Sequence, residues 1–284
     1  MDSDQTIGET TCTLSRSGAG FVELVELAGR TAVTRCRANS PLRLLTPQRD
    51  GPVARIVAGT YGGGLVCGDA LELTVDAGPR TRCLLGTQAS TKIYRSTRAR
   101  CTQLCSISAA DKAIIVSLPD PVVCFAGARF FQRQRFDLAA DATLVALDWF
   151  TSGRAARGER WAMDHYVSQT EITAAGKCVF REMLELDRSD GEIGGAMRMG
   201  RVDCFATAVL VGPAVAGQAT AMVQKIQRHP ITADDGLLFG ASELSGATVL
   251  RVAGKGSEAV GICLREKLAF ISDILGMDPW LRKW

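Results

Sequence analysis

Leu71-Glu72-Leu73-Thr74-Val75-Asp76-Ala77-Gly78 runs through a short turn into Cys83-Leu84-Leu85, and the reading of this stretch decides the fold. Leu71, Leu73, Val75 and Ala77 alternate with Glu72, Thr74 and Asp76. That two-residue period with one apolar face is the pattern of a strand laid on a core. The same phrase returns along the chain. Ile107-Ser108-Ala109-Ala110-Asp111 leads into Ile114-Ile115-Val116, and Leu138-Ala139-Ala140-Asp141 leads into Leu144-Val145-Ala146. Ile172-Thr173-Ala174-Ala175-Gly176 leads into Cys178-Val179-Phe180. With Val75, Ile107, Leu138 and Ile172 as anchors, the steps are 32, 31 and 34 residues. A strand–turn–strand unit cannot bury its apolar face alone and must stack on its neighbours, so this period points to stacked β coils. A meander of hairpins in a sandwich is the competing arrangement, and the near-constant step favours stacking.

Outward from the repeat, Ala113 to Leu118 and Thr143 to Phe150 are short apolar runs suited to buried strands. Helical spacing comes later. Ala214 to His229 carries Val215, Ala219, Met222, Val223 and Ile226 on one face, and Pro230 stops it. A second helix is expected from about Ser257 to Leu275 with Ile262, Leu268, Ile271 and Leu275 inward, ended by Gly276 and Pro279. The tail exposes Trp280 and Trp284 unless something covers them. The expected fold is mainly β. It is a β-helix-like stack of strand–turn–strand units with a few α-helices packed on it, mostly toward the C-terminus. Residues 1–20 read as a flexible N-terminal segment, and residues 21–284 as one domain without a linker.

Composition narrows the function. The chain has 284 residues, is 46% hydrophobic and 22% charged, and carries a formal net charge of +3. That charge gives no electrostatic grip on nucleic acid or on an anionic membrane. The N-terminus from Met1 to Thr6 lacks the positive start and apolar stretch of a signal peptide, and no apolar run is long enough to span a bilayer. A soluble, cytoplasmic protein is the expectation. The ten cysteines sit mostly in apolar runs, as Cys83, Cys204 and Cys263 do, and read as small buried hydrophobes.

Thr60-Tyr61-Gly62-Gly63-Gly64-Leu65-Val66-Cys67-Gly68-Asp69 is the first candidate site. It lacks the Gly-Lys-Ser/Thr of a Walker loop, and Cys67 stands where a dinucleotide fingerprint needs its third glycine. A strand follows it, where phosphate binding wants a helix N-terminus. Its glycines read instead as positions of positive φ or close strand approach. If Cys67 itself needs positive φ, it is strained. Gly86 to Arg95 is a polar run after an apolar strand. Ser90, Lys92 and Tyr94 are its reactive groups, and no His or carboxylate pair lies beside them. His165 and His229 are isolated, and no Cys-x-x-Cys occurs. Cys101 and Cys105 share a strand, a poor clamp for a closed zinc site. A looser transient site could draw on carboxylates, Cys67 or a His. Asp148 and Glu182 lie within apolar runs, where a charge is costly unless paired or hydrated.

Together these stretches carry a family resemblance. Gly62 to Asp69, then Thr87-Gln88-Ala89-Ser90-Thr91-Lys92-Ile93-Tyr94-Arg95-Ser96, resembles the paired signature of the UreD (UreH) urease accessory proteins. Leu118-Pro119-Asp120-Pro121 with Phe125-Ala126-Gly127-Ala128-Arg129-Phe130 is similar to their next block, and Gly153 to Trp161 to the one after. Phe205-Ala206-Thr207 with Leu210-Val211-Gly212-Pro213 is similar to a later one. The likeness runs from about Phe21 onward, which makes 21–284 a single UreD-like domain. It implies a β-helix-like fold and a non-enzymatic chaperone in urease metallocentre assembly. It further implies a UreF-like partner, a UreG-like GTPase recruited through it, and docking on urease apoprotein subunits. Nickel is then transient cargo, with no tightly bound cofactor. The positions matching the acidic lining of a nickel passage are Asp69, Asp148 and Glu182. Glu72 is added for its closeness to Asp69, and Cys67, where the family usually has Gly, adds a thiol. The alternative is a Cys- or Lys-dependent enzyme around Cys67 and Lys92, which requires a lowered thiol pKa.

Overall fold

Alternating apolar side chains make the strands, and the strands stack into two facing sheets. The computed structural model describes residues 17–47, 51–232 and 235–281. The first strands are β1 (Ser17–Leu27), β2 (Arg30–Ala38), β3 (Leu42–Leu45), β4 (Ala54–Thr60), β5 (Ala70–Ala77), β6 (Arg82–Thr87) and β7 (Thr91–Ile93). Next come β8 (Cys101–Ala109), β9 (Ile114–Ser117), β10 (Val122–Cys124), β11 (Arg129–Leu138), β12 (Thr143–Thr151), β13 (Gly153–Arg154) and β14 (Glu159–Arg160). The last are β15 (His165–Ala174), β16 (Lys177–Asp187), β17 (Cys204–Val211), β18 (Leu237–Leu244) and β19 (Ala247–Gly254). Three helices fall late: α1 (Pro213–Gln227), α2 (Ser257–Lys267) and α3 (Ile271–Leu275).

One sheet runs β16-β15-β11-β8-β5-β1-β2, and the other β18-β19-β17-β12-β9-β6-β4-β3 with β7 and β10 beside β12. The middle of each is parallel: β1, β5, β8, β11 and β15 in the first, and β4, β6, β9 and β12 in the second. The chain passes from first sheet to second at β5–β6, β8–β9 and β11–β12. The result is a β-solenoid of about four turns, the stacking that the repeat anticipates.

The register corrects two details of the repeat. Val75 lies opposite Ile107, Ile107 opposite Phe136, and Phe136 opposite Ile172. The third anchor is therefore Phe136, and Leu138 sits one pleat along, opposite Ala109 on the same inward face. The aligned steps are 32, 29 and 36 residues, because connections on the far side of each coil absorb the differences. The fourth unit is not a coil. Ala175 begins like the other turns, its N–H donating to the Leu138 carbonyl of the coil below. Then Ala175 (φ 49°) and Gly176 (φ 74°) both turn left-handed and send β16 back antiparallel to β15. Two residues of positive φ form the tight hairpin loop that matches strand twist, whereas the coil turns use longer connections.

One inward row runs across the first sheet as Val22, Val75, Ile107, Phe136, Ile172 and Phe180, none more than 5% exposed. Each such burial contributes about 1.5–3 kcal/mol. On the outer face of the second sheet, α1 buries Val215, Ala219, Met222, Val223 and Ile226, the face read from its spacing. The expected second helix is split into α2 and α3. Val260, Cys263 and Leu264 make the buried face of α2, and Ile262, on the other side, is 53% exposed. Leu268, Ile271 and Leu275 are buried as expected.

Ser17–Gly20 belong to β1 and pair with β5, while residues 1–16 lie outside the described residues. Trp280 packs against the helix core, and Trp284 lies outside the described residues. Among the described residues, no helix is long and apolar enough to cross a membrane.

Candidate functional site

Next to the apolar row, the interior of the solenoid changes character. The neighbouring inward row reads Leu73, Cys105, Gln134, Thr170 and Glu182 across β5, β8, β11, β15 and β16. The row after it reads Leu71, Gln103, Gln132, Ser168 and Leu184. On the facing sheet, Asp148 of β12 lies opposite Thr207 of β17, and Thr207 opposite Arg251 of β19. Between the two sheets is a cavity of about 450 Å³, lined among others by Gln103, Cys105, Gln132, Gln134, Asp148 and Thr87.

Asp148 is the centre of this polar layer. Its Oδ1 accepts from Gln132 Nε2 at 2.7 Å and its Oδ2 from Ser168 Oγ at 2.5 Å. Gln132 Nε2 also lies 2.8 Å from Ser168 Oγ and 3.3 Å from Tyr166 Oη. Asp148 is half-buried by surface area because it faces the cavity, yet it sits deep among protein atoms. Burial pushes its carboxyl above the usual range. The Ser168 and Gln132 hydrogen bonds oppose that rise, and the Glu182 carboxylate adds to it. Burial likewise raises the Tyr166 phenol, with Asp148 as a second cause. The Cys105 thiol is pushed up to about 12 by burial, so it stays protonated at neutral pH. Past Asp148, polar side chains continue through Ser168 and Thr170 to Glu182, which pairs with the exposed Arg251 at 2.5 Å.

The opposite end reaches the surface where Gly63, Gln88, Ala89 and Lys92, all exposed, join the lining. The glycine loop is held there by a single parallel bridge, Leu65 to Ile93. Leu65 N–H donates to the Lys92 carbonyl at 2.8 Å, and Tyr94 N–H to the Leu65 carbonyl at 2.9 Å. A Cβ on Gly64 would lie 2.6 Å from the Lys92 carbonyl oxygen and 2.7 Å from the Tyr94 ring, so only glycine fits. The left-handed residues of the loop are Gly62, Gly63 and Gly68, which leaves Cys67 unstrained.

The sequence profile of the UreD urease accessory protein family matches residues 17–284. Urease accessory protein UreD of Anaeromyxobacter sp. (strain Fw109-5) is 43% identical over 267 residues, covering 94% of this chain and 90% of that protein. Urease accessory protein UreD of Sorangium cellulosum (strain So ce56) is 42% identical, covering 95% of this chain and 85% of the relative. Urease accessory protein D of Oryza sativa subsp. indica is 31% identical, covering 96% and 98%. The chain belongs to the UreD family of urease accessory proteins. Its relatives are named as accessory proteins and not as enzymes, and its role is accessory and non-enzymatic.

In this UreD-family chain the five expected acidic and thiol positions separate. Asp148 lines the cavity, whereas Glu182 stands outside that lining, next to Thr170 in the register and paired with Arg251. Asp69 is fully buried, but in the loop, where its carboxylate accepts from Val66 N–H at 3.1 Å. Cys67 Sγ packs against the backbone of Ala99, at 3.5 Å from its N–H and 3.6 Å from its carbonyl. Lys92 borders the cavity mouth. Glu72 is exposed on the outer face of β5, because Leu71 and Leu73 take the inward positions.

Three UreD-family blocks meet beside the mouth. Tyr94 and Phe125 stack edge to face at 5.0 Å, Arg154 lies 4.2 Å over the Phe125 ring, and Glu159 pairs with Arg154. Glu159 also accepts from Ala126 N–H at 3.2 Å, which ties the blocks into one cluster. Sequence reading missed Gln103, Cys105, Gln132, Gln134, Ser168 and Thr170. The glutamines at 132 and 134 keep a two-residue period with Phe130 and Phe136, and that was the available signal.

Proposed function

We propose that this chain is a nickel-delivery scaffold for urease, and that the interior polar layer is a passage for the ion. In this reading a UreF-like protein binds the chain and brings a UreG-like GTPase, and the assembly docks on urease apoprotein. The observation that carries the proposal is Asp148, a carboxylate held deep in the solenoid by two neutral donors, with a cavity before it. A buried carboxylate is costly, and an apolar residue there would pack a stabler core. Retaining it is physically reasonable if a cation visits. Amide, hydroxyl and carboxylate oxygens suit a divalent ion, and neutral donors on either side keep each stop weak enough to leave.

Co-expression of urease subunits with UreF- and UreG-like partners, with and without this chain, tests the reading. Urease activity and bound nickel are measured. Activity is expected only with the chain present, and Asp148→Ala is expected to fold yet lower activation. Full activation without the chain removes the delivery role. Full activation by Asp148→Ala removes the passage.

A further inference from the structure

The two histidines look isolated in the sequence, but the β15–β16 hairpin gives one of them company. Tyr166 faces the interior, so its neighbour His165 faces out from the first sheet, on the side without helices. His165 lies opposite Asp187 in the register, and Glu185 follows on the same face of β16. His165 Nε2 is 2.8 Å from Glu185 Oε1 and 3.8 Å from Asp187 Oδ2, and one ligand atom from each residue lies within 4.8 Å of the others. The imidazole is only 15% exposed, so packing fixes it, while the Glu185 side chain is 47% exposed and open to solvent. Asp187 is oriented from behind. Its Oδ1 accepts from Ser189 N–H and Ser189 Oγ, both at 2.7 Å, which turns Oδ2 toward the histidine. Those bonds hold the carboxyl below its usual range, with His165 and Arg129 as lesser causes.

We infer that His165, Glu185 and Asp187 bind one divalent first-row transition-metal ion on the outer surface, with water completing its coordination. An imidazole nitrogen with two carboxylate oxygens is a donor set for such ions, and an outer hydrogen bond to a ligating carboxylate is the usual support for one. All three ligands stand on paired strands, so the set exists before the ion arrives. Arg129, opposite His165 on β11, and Arg198, whose guanidinium donates to the Asp187 carbonyl at 3.0 Å, place positive charge nearby. This site is separate from the interior passage and does not depend on it.

The test uses the untagged full chain with cobalt(II) or nickel(II) as the probe. The sequence holds two histidines, so imidazole proton NMR reads each separately. His165 resonances are expected to shift and broaden with one equivalent of ion, while His229, stacked on Phe239 at 5.1 Å, keeps its lines. Glu185→Gln and Asp187→Asn should each weaken binding by about tenfold or more, and Ser189→Ala by about tenfold through loss of orientation alone. Asp148→Ala should leave the His165 response intact. An equal response of both histidines, unchanged binding in the carboxylate variants, or no His165 response would reduce the cluster to a surface ion pair. Loss of the response in Asp148→Ala would place the ion in the interior and overturn the proposal as well.

Discussion

Two adjacent rows inside the same solenoid differ in almost everything but backbone. The row of Val75, Ile107, Phe136 and Ile172 is apolar and closed, whereas that of Leu73, Cys105, Gln134, Thr170 and Glu182, one pleat away, turns polar after its first members and borders a cavity at Leu73, Cys105 and Gln134. Strand pairing is the same in both, so the fold does not require the polar row. One row supplies stability, and the other sacrifices some of it for an interior that can accept a polar guest. In a β-solenoid the register aligns like residues from successive coils, so a few substitutions at one level turn a whole layer.

The largest expected effect comes from breaking the apolar row. Phe136→Ala should cost about 3–5 kcal/mol in chemical denaturation, because the rigid coils above and below cannot collapse into the gap. Gln132→Leu is the next test, since it leaves Asp148 with one donor fewer. It should lose about 1–3 kcal/mol together with urease activation. Asp148→Asn sharpens the contrast through pH. Burial raises the folded carboxyl above its unfolded value, so the folded chain holds a proton that the unfolded chain has released. Wild-type stability relative to the variant should therefore fall as pH rises from about pH 4 toward the raised folded value. Denaturation midpoints of the two proteins across that window would expose the slope, and parallel curves would count against a buried titrating carboxyl. The smallest effect belongs to Glu72→Gln, on the same strand as Leu71 and Leu73 but facing out. It should change stability by less than about 0.5 kcal/mol and leave urease activation unaltered.

Much of this was legible in the sequence because it is local. The alternation from Leu71 to Ala77 fixes both strand and inward face, and the spacing in α1 gives its buried side. Asp148 stood out as a charge in an apolar run. The polar rows were harder to see. Around Gln132 and Gln134, residues on both faces are polar or charged, and only alignment with Gln103 and Ser168 shows that the glutamines share the interior. Ala175-Gly176 was misread as a coil turn because the phrase before it matches the other units up to the residue that reverses the chain. His165 seemed alone because its partners lie about twenty residues away across that same reversal.

The reversals also decide where the molecule stops. A stack of parallel coils has no intrinsic length, and each exposed end is a template on which another copy could continue into a fibre. Among the described residues the first sheet ends in antiparallel β2 on one side and antiparallel β16 on the other. Their edges carry charges: Arg30, Arg35 and Arg37 on β2, and Lys177, Arg181 and Glu185 on β16. Turning the terminal strands round and charging them makes the repeat finite, so a protein built by repetition remains a discrete particle.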